Sequence, residues 1–462
     1  MARYLIIGNG VAGVRAAETI RRRDRRGEIT IVGDEPEGFY YRPQLADFAA
    51  GRTGKAAMRA KPDDFYSANR IKLILGRKAA ALNPAEHEVR LDDGATQSYD
   101  RLLIATGASP RKADIPGADL AGVHYLQTMA DARALAAAAG EHKEAVIAGE
   151  NSIGLEIARA LLDSGVGVSY LVRGDRFWPE MLDADAGQLI EQHLEGRGIR
   201  LLRNQELATI AGSRGQVENV MTGAGGTIPC GIVGLSLGLR PNAELASGAG
   251  VGVDQGILVD DKLATNAADV YAAGDVTQAP ELTTGKRQQS FGWLKAWRQG
   301  EAAGENMAGG SVSLADAINS FQVQILDIDF LAMGQSNPPP GAGLRKESAI
   351  FPDIGVYKSL VRRNGTLVGA TFLGNVAEAA VIEQHIRARG DVSQLDPAIR
   401  KQMFDEFSLR SVIVGVLCPV CKLAVPLAGN AKEGDVVTCP VCGVNLRLER
   451  MPNGLLGGRA TP

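Results

Sequence analysis

The chain is poor in sulfur and in aromatic residues. Its 462 residues include five cysteines and three tryptophans, and no cysteine precedes Cys230. That absence excludes a redox disulfide in the N-terminal half and a disulfide framework spanning the chain. Cys230 stands alone in TIPCGIVGLS, at a strand start, and reads as a small buried apolar residue rather than a nucleophile. Long apolar runs are missing too, so no segment is expected to span a bilayer. The first strand begins at Arg3, which leaves no room for a signal peptide, and the expected location is cytoplasmic. A charge excess of one sign is also lacking. With a net charge of −3, no broad surface for nucleic acid is expected. The one dense basic run, RRRDRR at 21–26, falls at the end of a predicted helix, where cations complement the helix dipole.

What remains is 45% hydrophobic and 22% charged, the composition of a soluble globular protein. The length exceeds one ordinary core, which implies about two to four domains. An internal repeat organises the first half. YLIIGNGVAGVRAAETI (4–20) and AVIAGENSIGLEIARAL (145–161) share an apolar strand, a glycine turn and an amphipathic helix. Each leads to a second strand, in EITIVGDE (28–35) and VGVSYLVRGD (166–175), so two βαβ units of the mononucleotide-binding kind are predicted. HEVRLDDGATQSYDRLLIATG between them reads as a hairpin followed by a strand. IVGLSLGLRPN reads as a strand and turn, and ILVDDKLATNAADVYAAGDV as a short strand pair ending at Gly274-Asp275. A helix fits 291–309. From about 313 alternating strand patterns take over, with an Asn-Gly turn at 364–365, and a helix follows in NVAEAAVIEQHIRARG.

GNGVAG places Gly8, Gly10 and Gly13 between a strand and a helix. In such a turn the first glycine closes the bend and the second lets the backbone approach a pyrophosphate. The third lets helix and strand pack closely. The helix N-terminus then offers unpaired N–H groups to the anion. Glu35 ends the next strand, where a carboxylate reaches a ribose hydroxyl. These features predict a dinucleotide site.

Four motifs in order, GNGVAG with GDE, FYYRPQL (39–45), LLIATGASP (102–110) and VYAAGDV (270–276), resemble the pyridine nucleotide-disulfide oxidoreductase superfamily. The closest branch is that of rubredoxin reductases and the flavin portion of NAD(P)H nitrite reductases. The resemblance covers about residues 1–400. It implies an α/β fold with two Rossmann-like dinucleotide-binding domains and bound FAD. In that arrangement Gly8, Gly10, Ala12 and Gly13 hold the pyrophosphate and Glu35 the adenosine ribose. Arg42 and Pro43 line the flavin, and Thr106 and Gly107 sit where the chain crosses between domains. Asp275, after Gly274, accepts from a ribityl hydroxyl. Read without the other motifs, Asp275 is a helix cap or a turn aspartate. The expected FAD-binding domain is split, 1–115 and 243–312, around an NAD(P)-binding-like domain at 116–242. An α+β domain at 313–405, of a kind that forms dimers in many relatives, and a small four-cysteine zinc ribbon at 412–450 follow.

The second fingerprint keeps Gly149 and Gly154 but carries Asn151 in the middle. Asparagine tolerates positive φ, yet its side chain stands where the backbone should meet the pyrophosphate. Binding is then weaker, or the amide substitutes as a donor. Glu156 occupies the position where the family places a carboxylate near the nicotinamide; otherwise it is an exposed helix glutamate. Arg173, with Arg176 near it, ends the second strand of this unit where NADH-preferring relatives have an acid. An arginine suits a 2′-phosphate, which tilts the choice toward NADPH over NADH. Trp293 and Trp297 share a helix face, for which core packing is the default; by resemblance, Trp293 approaches the flavin.

The tail carries Cys418, Cys421, Cys439 and Cys442 as two C-x2-C pairs, the spacing of a zinc ribbon. So small a segment needs such a staple. Rubredoxin's iron knuckles lie farther apart in a more aromatic domain, so zinc is preferred to iron. The expected activity is that of an FAD-dependent oxidoreductase. It passes electrons from NAD(P)H to a small molecule or a small redox protein, without a redox disulfide, as a homodimer or within a complex. The alternative is a flavin-bearing subunit of a larger electron-transfer assembly that does not itself use a nicotinamide cofactor.

Overall fold

The computed structural model describes residues 1–339, 341–405, 415–420, 424–427, 430–439, 442–451 and 456–461. Two five-stranded parallel sheets form its body. In the first, Arg3–Ile7 lies between Glu28–Gly33 and Arg101–Ile104, with Ile71–Leu75 and Val270–Ala272 at the edges. In the second, Glu144–Ala148 lies between Gly167–Val172 and Ile232–Leu235, with Arg200–Arg203 and Val123–His124 outside. Parallel strands need crossovers, and the helices Val11–Arg23 and Ser152–Asp163 supply the first of each unit. The central strands are nearly continuous apolar runs because both faces are covered: in the second sheet Ala145 and Ile147 join a cluster with the helix residues Leu155 and Ile157, and Val146 and Ala148 one with Ile210, Val217 and Val220 of an antiparallel sheet.

The helix Trp293–Met307 packs along Val11–Arg23 and returns the chain to the first unit. The basic run ends the first-unit helix as its composition predicts. Arg22 meets Glu301 at 3.2 Å and Arg23 pairs with Glu305, while Arg21 donates to the carbonyls of Asn69, Asp24 and Gly27. These contacts tie two helices and a loop together.

One expectation fails. Ile257–Leu258 and Val270–Ala272 do not pair with each other. The first joins Thr277–Glu281 in a separate small sheet, and the second extends the main parallel sheet. Local alternation cannot distinguish the two outcomes, because it does not specify which strand lies alongside.

Residues 320–373 form a five-stranded antiparallel sheet covered by Ala379–Arg387 and Pro397–Phe404. Its Asn364-Gly365 turn has φ of 50° and 89°, the paired positive values that a two-residue hairpin loop requires. The tail adds the pair Gly415–Leu417 with Ala424–Pro426, and the three-stranded sheet Val436–Thr438, Asn445–Arg450 and Leu456–Thr461. Buried tail residues such as Val416, Leu446 and Leu448 belong to the same apolar cluster as Leu5 and Ile6 of the first sheet. Among the described residues no helix is long and apolar enough to cross a membrane.

Candidate active site

The glycine turns repeat the same steric solution. Gly8 and Gly149 have φ of +121° and +117°, and a Cβ would lie 2.1 Å from the Ala105 carbonyl oxygen at the first and 1.8 Å from that of Ser236 at the second. No L side chain fits either position. At Gly10 the situation is reversed. Nothing lies within 4 Å of the place a Cβ would take, so the backbone there faces open space.

That space is a cavity of about 410 Å³. Gly8, Gly10, Ala12 and Glu35 line it from the first unit. Arg42, Pro43, Thr106 and Gly107 come from two later segments, and Gly274, Asp275 and Trp293 from the returning chain. Glu156 reaches the same cavity from the second unit. Gly13 lies behind the turn, packed against the Gly8 carbonyl. The surface suits the dinucleotide that the fingerprint predicts. Besides the open Gly10 backbone, Asn9 Nδ2 is buried on the cavity with no partner among the described residues, while its Oδ1 accepts from Tyr66.

Two charged pairs set the electrostatics. Tyr40 donates to Glu35 Oε2 at 2.7 Å and Arg42 pairs with the other oxygen, so both oxygens of the carboxylate expected at the ribose are engaged. Arg42 also donates to the Gln127 carbonyl at 2.5 Å. Asp275 Oδ1 accepts the Gly292 N–H at 3.0 Å, at the start of the Trp293–Met307 helix. Asp275 thus closes a helix start, as its turn reading has it, and also lines the cavity. Burial raises its carboxyl above the ordinary value, and Lys295 opposes this. Burial lowers the Lys295 ammonium to about 8, with Asp275 opposing in turn. Sequence reasoning misses Lys295, which lines the cavity about one turn into that helix.

The second fingerprint is built differently from its expectation. Asn151 has φ −160°, ordinary extended backbone, so tolerance of positive φ plays no part. Its Oδ1 accepts from Ile153 N at 3.1 Å and Gly154 N at 3.2 Å, and its Nδ2 donates to the Ser236 carbonyl at 2.6 Å. The side chain therefore caps the helix with the N–H groups an anion would use. Gly149, Asn151, Gly154 and Arg173 do not line the main cavity. Glu150, which no motif singles out, is buried and accepts from Arg173 N at 2.8 Å and Trp178 N at 3.0 Å. Both oxygens of its carboxylate are thus held by backbone amides at and beyond the end of the second strand. The Arg173 side chain is 66% exposed.

Glu156 does not project to solvent. Arg159, itself 7% exposed, donates to Glu156 Oε2 at 2.5 Å and to Asp47 Oδ1 at 2.7 Å. Arg52 continues the chain of charges, meeting Asp47 at 2.5 Å and Asp163 at 2.8 Å.

Trp293 and Trp297 part company. Trp293 stacks on Phe39 at 5.6 Å and leans on Tyr41 at 5.9 Å, whereas Trp297 lies under Arg15 at 4.2 Å. The tail meets this aromatic group. Tyr41 donates to the Thr461 carbonyl at 3.5 Å, and burial above all pushes its phenol up. The sulfurs of Cys418, Cys439 and Cys442 are buried and lie within 4.8 Å of one another, a set able to hold a metal ion. Cys421 lies outside the described residues. Cys230 is buried, and burial pushes its thiol up to about 12, which removes it as a nucleophile.

Comparison with known proteins agrees with this architecture. The family described as pyridine nucleotide-disulphide oxidoreductase matches residues 2–290. A probable ferredoxin reductase of Castellaniella defragrans is 36% identical over 279 residues, 60% of this chain and 68% of its own length. The ferredoxin–NAD(+) reductase component of the biphenyl dioxygenase system of Paraburkholderia xenovorans is 31% identical over 388 residues, covering 84% of this chain and 94% of its own. The ferredoxin reductase for the CYP199A2 system of Rhodopseudomonas palustris superposes with a TM-score of 0.80 at 23% identity, over 87% of this chain and all of that one.

Proposed function

The chain belongs to the pyridine nucleotide-disulphide oxidoreductase family, and from that premise we propose how its residues divide the work of an FAD-dependent NAD(P)H oxidoreductase. Bound FAD supplies the exchange between a two-electron hydride donor and an acceptor. The observation that carries the reading is that four motifs far apart in sequence line one cavity. Gly8 and Gly10 open the backbone to a pyrophosphate, and the N-terminus of the Val11–Arg23 helix faces its charge. Glu35 takes the adenosine ribose while Tyr40 and Arg42 fix its orientation. Asp275 accepts from a ribityl hydroxyl and Lys295 places a cation beside it. Trp293 forms one wall. Glu156, paired with Arg159, faces the position of the nicotinamide.

Gly149, Gly154 and the Asn151 cap make the second nucleotide site, with Arg173 and Arg176 as the exposed cations that suit a 2′-phosphate and hence NADPH over NADH. The electron acceptor is a small redox protein. The first sheet with the returning segment 243–312 is the FAD-binding domain and 116–242 the nicotinamide domain; 313–405 is the α+β domain. The tail cysteines, Cys421 included, hold zinc as a staple.

The test is to purify the protein, identify its flavin and mix it anaerobically with NADPH and with NADH. Bleaching by either is expected, faster with NADPH. The cap on the second fingerprint favours one other reading, a flavin-bearing subunit reduced by a partner protein. A flavin that neither nucleotide reduces, but a co-purified partner does, would replace the first reading with the second.

A further inference from the structure

The tail does more than fold beside the flavoprotein body. Val420, between Cys418 and Cys421 in the first knuckle, lines the same cavity as Gly8 and Asp275 and is 2% exposed. It is the one described tail residue on that cavity. The tail is held against the body by two further contacts. Cys418, Cys439 and Cys442 share the apolar cluster of the first sheet, and Thr461 accepts from Tyr41, which leans on the cavity residue Trp293. The buried apolar residues of the tail share the core of the first sheet, so a metal held by Cys418, Cys439 and Cys442 would help to keep the tail folded and docked there.

We propose that the metal-bound tail is a structural wall of the FAD cavity, with Val420 as a cofactor-positioning residue, so that metal binding and FAD binding favour each other. The inference rests on the reading of the cavity as an FAD site. An apolar side chain at that wall excludes water from the cofactor and is present only while the knuckle is closed. Because both ligands select the same docked tail, each strengthens the other by the same factor.

The experiment uses the full-length protein. Val420→Glu leaves the four cysteines in place, Val420→Ala is its milder counterpart, and Cys442→Ser breaks the metal set. FAD affinity is measured by titration of flavin-free protein, flavin accessibility by iodide quenching, and zinc by elemental analysis. Val420→Glu is expected to retain zinc while its FAD Kd rises about tenfold and its flavin becomes more readily quenched. Val420→Ala shifts both in the same direction by less, and Cys442→Ser matches or exceeds Val420→Glu. A metallochromic chelator is expected to strip zinc about tenfold faster from FAD-free than from FAD-loaded wild type. Wild-type affinity and quenching in both Val420→Glu and Cys442→Ser would overturn the proposal, as would zinc release indifferent to FAD. Failure of the FAD reading shows separately, as wild-type protein that neither carries nor takes up FAD.

Discussion

Arg159 donates to Glu156 at 2.5 Å from a position almost wholly out of solvent, so the cation that holds the cavity carboxylate is itself dependent on its partners. Its second carboxylate, Asp47, is shared with the more exposed Arg52. Removing Arg159 takes this cation from Glu156, whereas Asp47 keeps another. Arg159→Met is therefore expected to cost about 3–5 kcal/mol, the penalty for breaking a buried ion pair from one side. Urea denaturation measures it, and a loss under about 1 kcal/mol, the range of an exposed pair, would contradict the assignment.

Glu156→Gln keeps the shape and removes the charge. A carboxylate near the nicotinamide stabilises the positive ring that forms as hydride leaves, so flavin reduction by NADPH is expected to slow about tenfold. Flavin content should be unchanged. Stopped-flow reduction reads the rate, and an unaltered limiting rate would remove Glu156 from the chemistry.

The Asn151 cap makes a prediction of opposite sign. Asn151→Gly frees the Ile153 and Gly154 N–H groups for a phosphate at a cost of only a few tenths of a kcal/mol to the helix. The Kd for the nicotinamide nucleotide is expected to fall about fivefold, equivalent to about 1 kcal/mol. Titration of the oxidised protein with NADP⁺ tests this; weaker binding would mean that the amide is a ligand rather than a competitor.

Much of this site can be read from the chain. Gly8 and Gly149 are legible because their constraint is local, a turn that no Cβ survives. Glu35 is legible from its place at the end of the strand after the glycine turn, whereas Asp275 is legible only through the ordered set of motifs, since alone it reads as a helix cap or a turn aspartate. Glu150 and Lys295 are not. Glu150 works through backbone amides of residues 173 and 178, and Lys295 gains its character from burial beside Asp275, neither of which is periodic in sequence. The strand Arg345–Phe351 escapes for a related reason. It lies at the sheet edge and half-buries both faces, so it shows no alternation. The placement of Val420 is the clearest case, since it depends on how the tail docks and not on the tail itself.

Lys295 gives the flavin-free protein a pH dependence. Its folded value, about 8, lies below the 10.5 of an ordinary lysine, so between those values the unfolded chain binds more protons than the folded one. Stability is expected to rise through that window and to be flat, with the full penalty present, below it. Lys295→Met abolishes the rise. Thermal denaturation at about pH 7, 8.5 and 9.5, running from below the folded value into the window, compares wild type with variant, and parallel curves would refute the burial of the cation.

A second buried ion pair tests stability away from the cavity. Lys358 and Glu378 meet at 2.5 Å, with 0% and 5% of their side chains exposed. Lys358→Met alone is expected to destabilise by about 3–5 kcal/mol, while Lys358→Met with Glu378→Leu recovers most of the loss. Flavin binding should be the same in both. A double variant as unstable as the single one would show that packing, rather than the stranded carboxylate, sets the cost.

The depth of Cys230 has a practical corollary. Every other sulfhydryl in the chain lies in the tail, and the only one in the body stays protonated and shielded at neutral pH. Thiol-alkylating reagents therefore have one region to attack. A maleimide dye added to the native protein would label the tail alone, and its uptake would serve as a clock for how often the knuckles open.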